Sequence, residues 1–264
     1  MTRPSVPFSP AVAAASLSGQ SDAEWAKAAA PYVGCAFLGG IALDSRSRDA
    51  ARGMRKRDRE EFLPDDPIEF IRTQLEALED VPIRAGINVR SSAVEPIQEA
   101  AVACASAGAI LEVNAHCRQE EMCAIGCGES LLRNTDRLCE YVSVAAETGA
   151  TVSVKVRTEV DGVDLPETAR QVAAAGVDVV HVDAMDSEPV VGAVVDTLEA
   201  GTDATVGRRP VVVANNGVRD RETVREYLGY GADAVSVGRP SDDPEVLSRV
   251  REAVVKWFEN GTAD

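Results

Sequence analysis

Lysine is scarce in this sequence. Of 27 basic residues only Lys27, Lys56, Lys155 and Lys256 are lysines, against 43 acidic residues and a formal net charge of −16. Many carboxylates with few ammonium groups make a surface suited to high salt, where acidic side chains keep a protein hydrated. The same balance argues against generic affinity for nucleic acid, which needs a positive surface to release counterions. Long hydrophobic runs are missing too: no stretch of 18 apolar residues occurs, so no membrane-spanning helix is expected. The opening MTRPSVPFSPAVAAASLSG is weakly apolar and broken by Pro7 and Pro10, so it reads as a first strand rather than an export signal, and a cytoplasmic location is expected. The six cysteines include no CxxC pair and are expected to be reduced. Cys35 and Cys104 lie in apolar patterns and read as packing residues. No internal repeat, low-complexity tract or interdomain linker is visible, so residues 1–264 read as one domain.

What is present is an alternation of short apolar runs with amphipathic helical segments. Strands are expected at Pro7–Ser16, Cys35–Ala42, Ile83–Val89, Ile110–His116, Thr151–Arg157, Val177–Ala184, Pro210–Asn215 and Ala234–Gly238. Helices are expected at Asp22–Ala30, across the basic segment after strand two, after Pro67, and at Glu95–Ala107, Asp136–Thr148, Leu165–Ala175, Pro189–Leu198, Arg221–Tyr230 and Pro244–Phe258. Eight near-continuously apolar strands, each followed by a helix, are the pattern of a single (β/α)8 TIM barrel with a parallel sheet buried on both faces. An open doubly wound sheet is the alternative, but no glycine-rich dinucleotide fingerprint follows the first strand.

In such a barrel the C-terminal strand ends share one mouth, and chemistry sits there. Those ends carry Ser16 and Ser18, Gly39 and Gly40, Asn88 and Arg90, Asn114 to Cys117, Lys155 and Arg157, His181 and Asp183, Asn215 to Gly217, and Gly238 with Arg239. The turns after strands seven and eight are where barrels commonly hold a phosphate on backbone N–H groups, and Arg239 could add a charged fork. Lys155 stands out because a lysine-poor chain keeps one inside an apolar strand, where an unpaired ammonium is costly. It is read as a cation facing an anionic ring or phosphate, with an ion pair to Asp183 as the structural alternative. Cys117, Cys123 and Cys127 beside His116 could ligate zinc or an iron–sulfur cluster. Their spacing is loose, so no metal is assigned, and Cys117 is read as a single reactive thiol. Seven basic residues between Arg46 and Arg59 are read as a solvated helix face, with an anionic substrate or RNA contact as the alternative.

Four motifs then resemble the flavin-dependent dihydrouridine synthase superfamily, in particular its short archaeal relatives. Ala15-Ser16-Leu17-Ser18-Gly19-Gln20-Ser21-Asp22 is similar to the opening A-P-M-A-G-V-T-D, and Glu112-Val113-Asn114-Ala115-His116-Cys117-Arg118 to D-[IL]-N-x-G-C-P, followed by Gly128-Glu129-Ser130-Leu131-Leu132. Val154-Lys155-Val156-Arg157 matches V-K-x-R, while Ala214-Asn215-Asn216-Gly217 and Val237-Gly238-Arg239 match the phosphate-side motifs. The resemblance implies FMN at the mouth: Asn216, Gly217, Gly238 and Arg239 on its phosphate, Lys155 beside the ring, Ser16 and Leu17 approaching through backbone, and Asn88 as the amide on the flavin. It implies reduction of the C5=C6 bond of a uracil-type ring, most specifically in tRNA, with Cys117 as general acid, Asn114 positioning the ring or flavin, and Arg157 the substrate. A thiol with a pKa of roughly 8.5 holds its proton at neutral pH. NADPH or NADH is the implied electron donor, visiting the same mouth, since no separate nucleotide motif appears. Three departures stand out. His116 and Arg118 flank the thiol where the family has Gly and Pro, and Asp183 takes the place of a flavin-contacting His, with His181 two residues earlier. The family's C-terminal helical tRNA-binding domain has no counterpart after strand eight. FMN therefore carries over better than tRNA. A free pyrimidine or another small unsaturated ring, as in dihydroorotate and dihydropyrimidine dehydrogenases, is the alternative substrate, and a non-catalytic phosphate- or metal-binding barrel is the third reading.

Overall fold

The computed structural model describes residues 4–201 and 208–261. Eight parallel strands close into a barrel in chain order: β1 (Val12–Ala14), β2 (Cys35–Ala42), β3 (Arg84–Arg90), β4 (Ile110–Asn114), β5 (Thr151–Arg157), β6 (Val179–Asp183), β7 (Val211–Asn215) and β8 (Ala234–Val237). Around it run α1 (Ala23–Ala29), α2 (Ser45–Arg55), α3 (Pro67–Glu76), α4 (Glu95–Ser106), α5 (Glu120–Cys123), α6 (Thr135–Ala146), α7 (Leu165–Ala174), α8 (Val190–Gly201), α9 (Arg221–Gly229) and α10 (Pro244–Gly261). The single TIM barrel expected from the strand–helix alternation is the fold of the described residues.

The strand runs are apolar because both faces are covered. One face packs under the helices through a core that includes Leu38, Ile87, Val113, Val154, Val182 and Val235. The other lines the barrel, where Phe8, Phe37, Ile110, Val179, Val211 and Val213 fill the lower half. Phe37 fits because β3 offers Gly86 there; a Cβ on Gly86 would lie 2.4 Å from the Phe37 ring. Helix starts account for part of the acidic composition. Asp22, Asp44, Asp66, Asp164 and Asp220 each cap a helix by accepting backbone N–H groups, a contact worth about 1 kcal/mol apiece.

Two segments depart from expectation. The first strand is only three residues long, and Pro7 and Pro10, which lack N–H donors, lie outside it. The turn-rich stretch after β4 folds into α5 and a 3₁₀ turn at Gly128–Arg133. β4 itself stops at Asn114 because the Asn114 side-chain oxygen takes the backbone N–H groups of His116 (3.4 Å) and Cys117 (3.1 Å) that would otherwise continue the ladder. The basic segment is α2 and its exit: Arg46, Arg52, Arg55, Lys56 and Arg57 are exposed. Arg52 pairs with Asp49 and Arg57 with Glu121, as a solvated face does.

Candidate active site

Alternate residues of each strand point into the barrel. Above the apolar floor they become polar: Asn88 from β3, Glu112 from β4, Ser153 from β5, His181 from β6 and Ser236 from β8. These side chains form one hydrogen-bonded chain. Asn88 Nδ2 donates to Glu112 Oε1 at 2.8 Å. Ser153 Oγ and His181 Nδ1 lie 3.0 and 2.7 Å from Glu112 Oε2. Ser236 Oγ sits 2.7 Å from His181 Nε2 and accepts from Asn215 Nδ2 at 2.8 Å, and Asn114 Nδ2 donates to Asn88 Oδ1 at 2.9 Å. Every donor direction is satisfied if Glu112 is the terminal acceptor and His181 is neutral with its proton on Nδ1. The electrostatics agree. Burial raises the Glu112 pKa, but His181, Lys155 and Asn88 outweigh it and hold the carboxyl below its ordinary value. Burial, against the pull of Glu112, pushes His181 down.

The next layer is the mouth. A cavity of about 490 Å³ is lined by Ser16 and Leu17 after β1, His116 after β4, Lys155, Asp183, the Asn215–Arg219 turn, and Gly238 with Arg239. That volume suits a small-molecule or cofactor site. Lys155 is 2% exposed, and among the described residues no carboxylate lies within ion-pair distance of it. Burial lowers its pKa, opposed first by Glu112 and then by Asp183. The alternative in which Lys155 is consumed by an ion pair with Asp183 is not what the structure contains. Its ammonium is balanced from beneath by Glu112 and directed at the cavity.

The β7 and β8 turns form the rim. Asn216 and Gly217 both have positive φ, at 95° and 65°. For a non-glycine this conformation costs about 1–3 kcal/mol, and Asn is among the residues that bear it best. The Tyr227 hydroxyl, 2.9 Å from the Asn216 carbonyl, clamps the turn from α9. Gly238 faces open space; a Cβ there would meet nothing within 4 Å. Arg239 and Arg219 are exposed at this rim. Arg219 was not singled out from sequence, although it follows Gly217 by two residues.

The opposite flank carries the thiol. Cys117 is half-buried beside Ala42, Met54, Met122 and Cys127, and it lies outside the lining of the 490 Å³ cavity. Its carbonyl accepts from Glu129 N at 2.9 Å, an approach that only Gly128 permits: a Cβ there would lie 2.1 Å from that oxygen. Behind the thiol, Arg90 is fully buried and donates to Glu61 (2.5 Å), Gly40 O (2.7 Å) and Ser18 Oγ (2.9 Å). Glu61 comes from the segment between α2 and α3, which closes over this flank. Burial pushes Cys127 up to about 12 and raises Cys123 as well. Among the described residues no group of three His, Cys, Asp or Glu is arranged to hold a metal ion.

The structure thus brings Ser16, Leu17, Lys155, Asp183, Asn216, Gly217, Gly238 and Arg239 around one cavity. Asn88 lies beneath it, fully buried, its amide engaged by Glu112 and Asn114. Asn114 is likewise buried and orients the His116–Cys117 turn. Arg157, next to the mouth, is held by Glu129 at 3.2 Å. Glu112, Ser153 and Ser236 were not marked from sequence as site residues. Glu112 was legible only as a motif letter, and two buried serines give no signal.

The sequence model of the dihydrouridine synthase (Dus) family matches residues 84–262, which include β3 to β8. An uncharacterized protein of Methanocaldococcus jannaschii, MJ0144, is 26% identical over 233 residues, covering 86% of this chain and 88% of that protein. Among solved structures, a FabK mutant from Thermotoga maritima superposes with a TM-score of 0.56 at 15% identity, over 89% of this chain and 63% of that one. A chain of the tryptophan synthase complex of Pyrococcus furiosus gives 0.56 at 13% identity, over 96% of this chain and 99% of that one. At these identities the structural likeness concerns the barrel alone.

Proposed function

The chain belongs to the dihydrouridine synthase family, and from that premise we propose that it is an FMN-dependent reductase of the C5=C6 bond of a uracil-type ring, in tRNA first of all. The observation that carries the reading is the pairing, in one cavity, of a buried ammonium that has no carboxylate within ion-pair distance among the described residues and a glycine-bearing, left-handed anion rim. The residues present fit FMN. The Asn216–Gly217 turn, Gly238, Arg239 and Arg219 would take the phosphate, Lys155 the ring, and Ser16 and Leu17 the ring through main chain.

FMN held there would supply two-electron, hydride-type chemistry for the C5=C6 bond. The remaining work falls to the chain. Cys117 holds the proton that C5 must receive, so that hydride and proton together saturate the double bond. Asn114 fixes the turn that presents the thiol, through its bond to the Cys117 N–H. Lys155 would hold its ammonium against the bound ring, where a fixed cation favours negative charge. Arg157, next to the mouth and held by Glu129, would position the substrate. NADPH or NADH is the electron donor in this reading.

A free pyrimidine is the second substrate reading, favoured by the net charge of −16, which works against a polyanion. The absorbance spectrum of the purified protein is the first test. Bands of oxidised flavin support the cofactor, and a colourless protein that also fails to take up added FMN removes the reading. Dihydrouridine content of tRNA from a deletion strain then separates the two substrates: unchanged content sinks tRNA and leaves the free ring.

A further inference from the structure

His116 occupies a position that neither the family resemblance nor the reading above assigns. It lines the cavity between Lys155 and the turn that carries Cys117, so it stands at the border between the rim side and the thiol side. Its orientation follows by deduction from the barrel floor. Glu112, being anionic, can only accept, so Asn88 must present Nδ2 to it and Oδ1 to Asn114. Asn114 must then give Nδ2 to Asn88 and turn Oδ1 toward His116 and Cys117. That oxygen already accepts the Cys117 N–H at 3.1 Å and lies 3.2 Å from His116 Nδ1. A carbonyl-type oxygen needs a donor there, which places the His116 proton on Nδ1.

The surroundings oppose a second proton. Burial in the mouth comes first, followed by the cations Lys155 from β5, Arg90 from β3 and Arg157 from β5. The imidazole is therefore neutral, and Nε2 carries a lone pair. Among the described residues Nε2 has no hydrogen-bond partner. The cavity thus holds an acceptor, His116 Nε2, in company with a donor, the Lys155 ammonium.

We propose that His116 accepts a hydrogen bond from the imide N–H of a ring bound in the mouth, with Lys155 donating to a neighbouring ring carbonyl. The inference rests on the function proposed above, and it deepens it by naming the ring edge that is read. A cyclic imide, N–H flanked by two carbonyls, is common to the flavin ring and to uracil, and the two sources are separable by methylating the nitrogen of one ring at a time.

The test has a ligand-free part and a ligand part. The chain contains only two histidines, so imidazole nitrogen NMR of the full-length protein at pH 7 resolves them, with His116→Phe assigning the signals. A neutral ring protonated on Nδ1 is expected for His116; an imidazolium, or the Nε2–H form, overturns the proposal. The second part compares FMN with 3-methyl-FMN by affinity, and a uracil substrate with its N3-methyl form by kcat/KM in the flavin-loaded protein. In the wild type one of the two pairs is expected to favour the N–H form by about tenfold, the worth of a buried hydrogen bond. His116→Ala and His116→Phe are expected to abolish that preference. Loss in the flavin pair assigns the contact to the cofactor, and loss in the pyrimidine pair assigns it to the substrate. A preference that survives His116→Phe is steric exclusion of the methyl group and overturns the proposal, as does equal discrimination in wild type and His116→Ala. In those cases FMN still binds and the function stands; a protein that takes up no flavin and no pyrimidine loses both.

Discussion

On the flank formed by β7, β8 and β1 the mouth is made of main chain: a left-handed turn at Asn216–Gly217, an open Gly238, and backbone after Ala15. On the flank formed by β3 and β4 the mouth is set by side chains: Asn114, anchored on the buried Asn88, orients the His116–Cys117 turn, and Arg90 sits behind the thiol with Glu61 brought in from outside the barrel. A backbone rim offers N–H groups to an anion and depends little on its neighbours. A side-chain net places single atoms, and each placement depends on the next. The first arrangement suits a cofactor that is held, and the second suits a thiol that must be aimed.

Substitutions can break this contrast, and their expected effects fall in a definite order. Cys117→Ala is expected to lower turnover by about 10² to 10⁴, the range of a lost general acid, while the spectrum and affinity of bound FMN stay as in wild type. A changed flavin spectrum would place Cys117 on the cofactor side and erase the division of labour. Glu112→Ala removes the acceptor on which the net converges and leaves Lys155 without its counter-charge; about 3–5 kcal/mol of stability should go, read by denaturant unfolding. A cost below about 1 kcal/mol would show that the net is decoration. Lys155→Met keeps the bulk and removes the charge. FMN should bind about 10- to 100-fold more weakly, as for a lost charged hydrogen bond, with dissociation constants measured by fluorescence quenching.

The smallest effect sharpens the comparison through pH. Asp44 caps α2 and ties it to the end of β3 through Ser92. Burial raises its pKa, but the hydrogen bonds from Ser92 and Ser47 outweigh this and hold it at about 2. A depressed carboxyl stabilises the fold above its unfolded pKa, near 4, and that contribution is lost as pH falls toward 2. Half-exposed as it is, Asp44 should account for about 1 kcal/mol. Asp44→Asn should therefore show a flatter stability profile than wild type between pH 4 and 2, and parallel profiles would discount it.

The same division explains what could be read in advance. The barrel was legible because strands covered on both faces leave short, near-continuous apolar runs that alternate with amphipathic helices. The rim was visible because left-handed turns need glycine or asparagine, so Gly217 and Asn216 are constrained letters. Lys155 was visible because it is rare. The thiol flank was visible as a strand end carrying Asn114, His116 and Cys117, and the family motif added the role of general acid. Nothing local distinguishes Ser153 or Ser236 from any buried serine, and Asn88 looks like a residue at the mouth until its partners show it beneath. Arg90 pairs with Glu61 across 29 positions, a distance over which sequence pattern says nothing.

The hydrogen-bonded chain of the floor also sets where the barrel can give. It fastens β3, β4, β5, β6, β7 and β8 to one another and leaves β1 and β2 untouched. β1 contributes only three residues and meets β2 over two register pairs. The cylinder is therefore hooped over most of its circumference and has one weak stave. Slow hydrogen exchange should follow the hoop, and transient opening should run through β1, beside Ser16 and Leu17. That puts the compliant seam of the barrel against the cavity that would hold a flat ring.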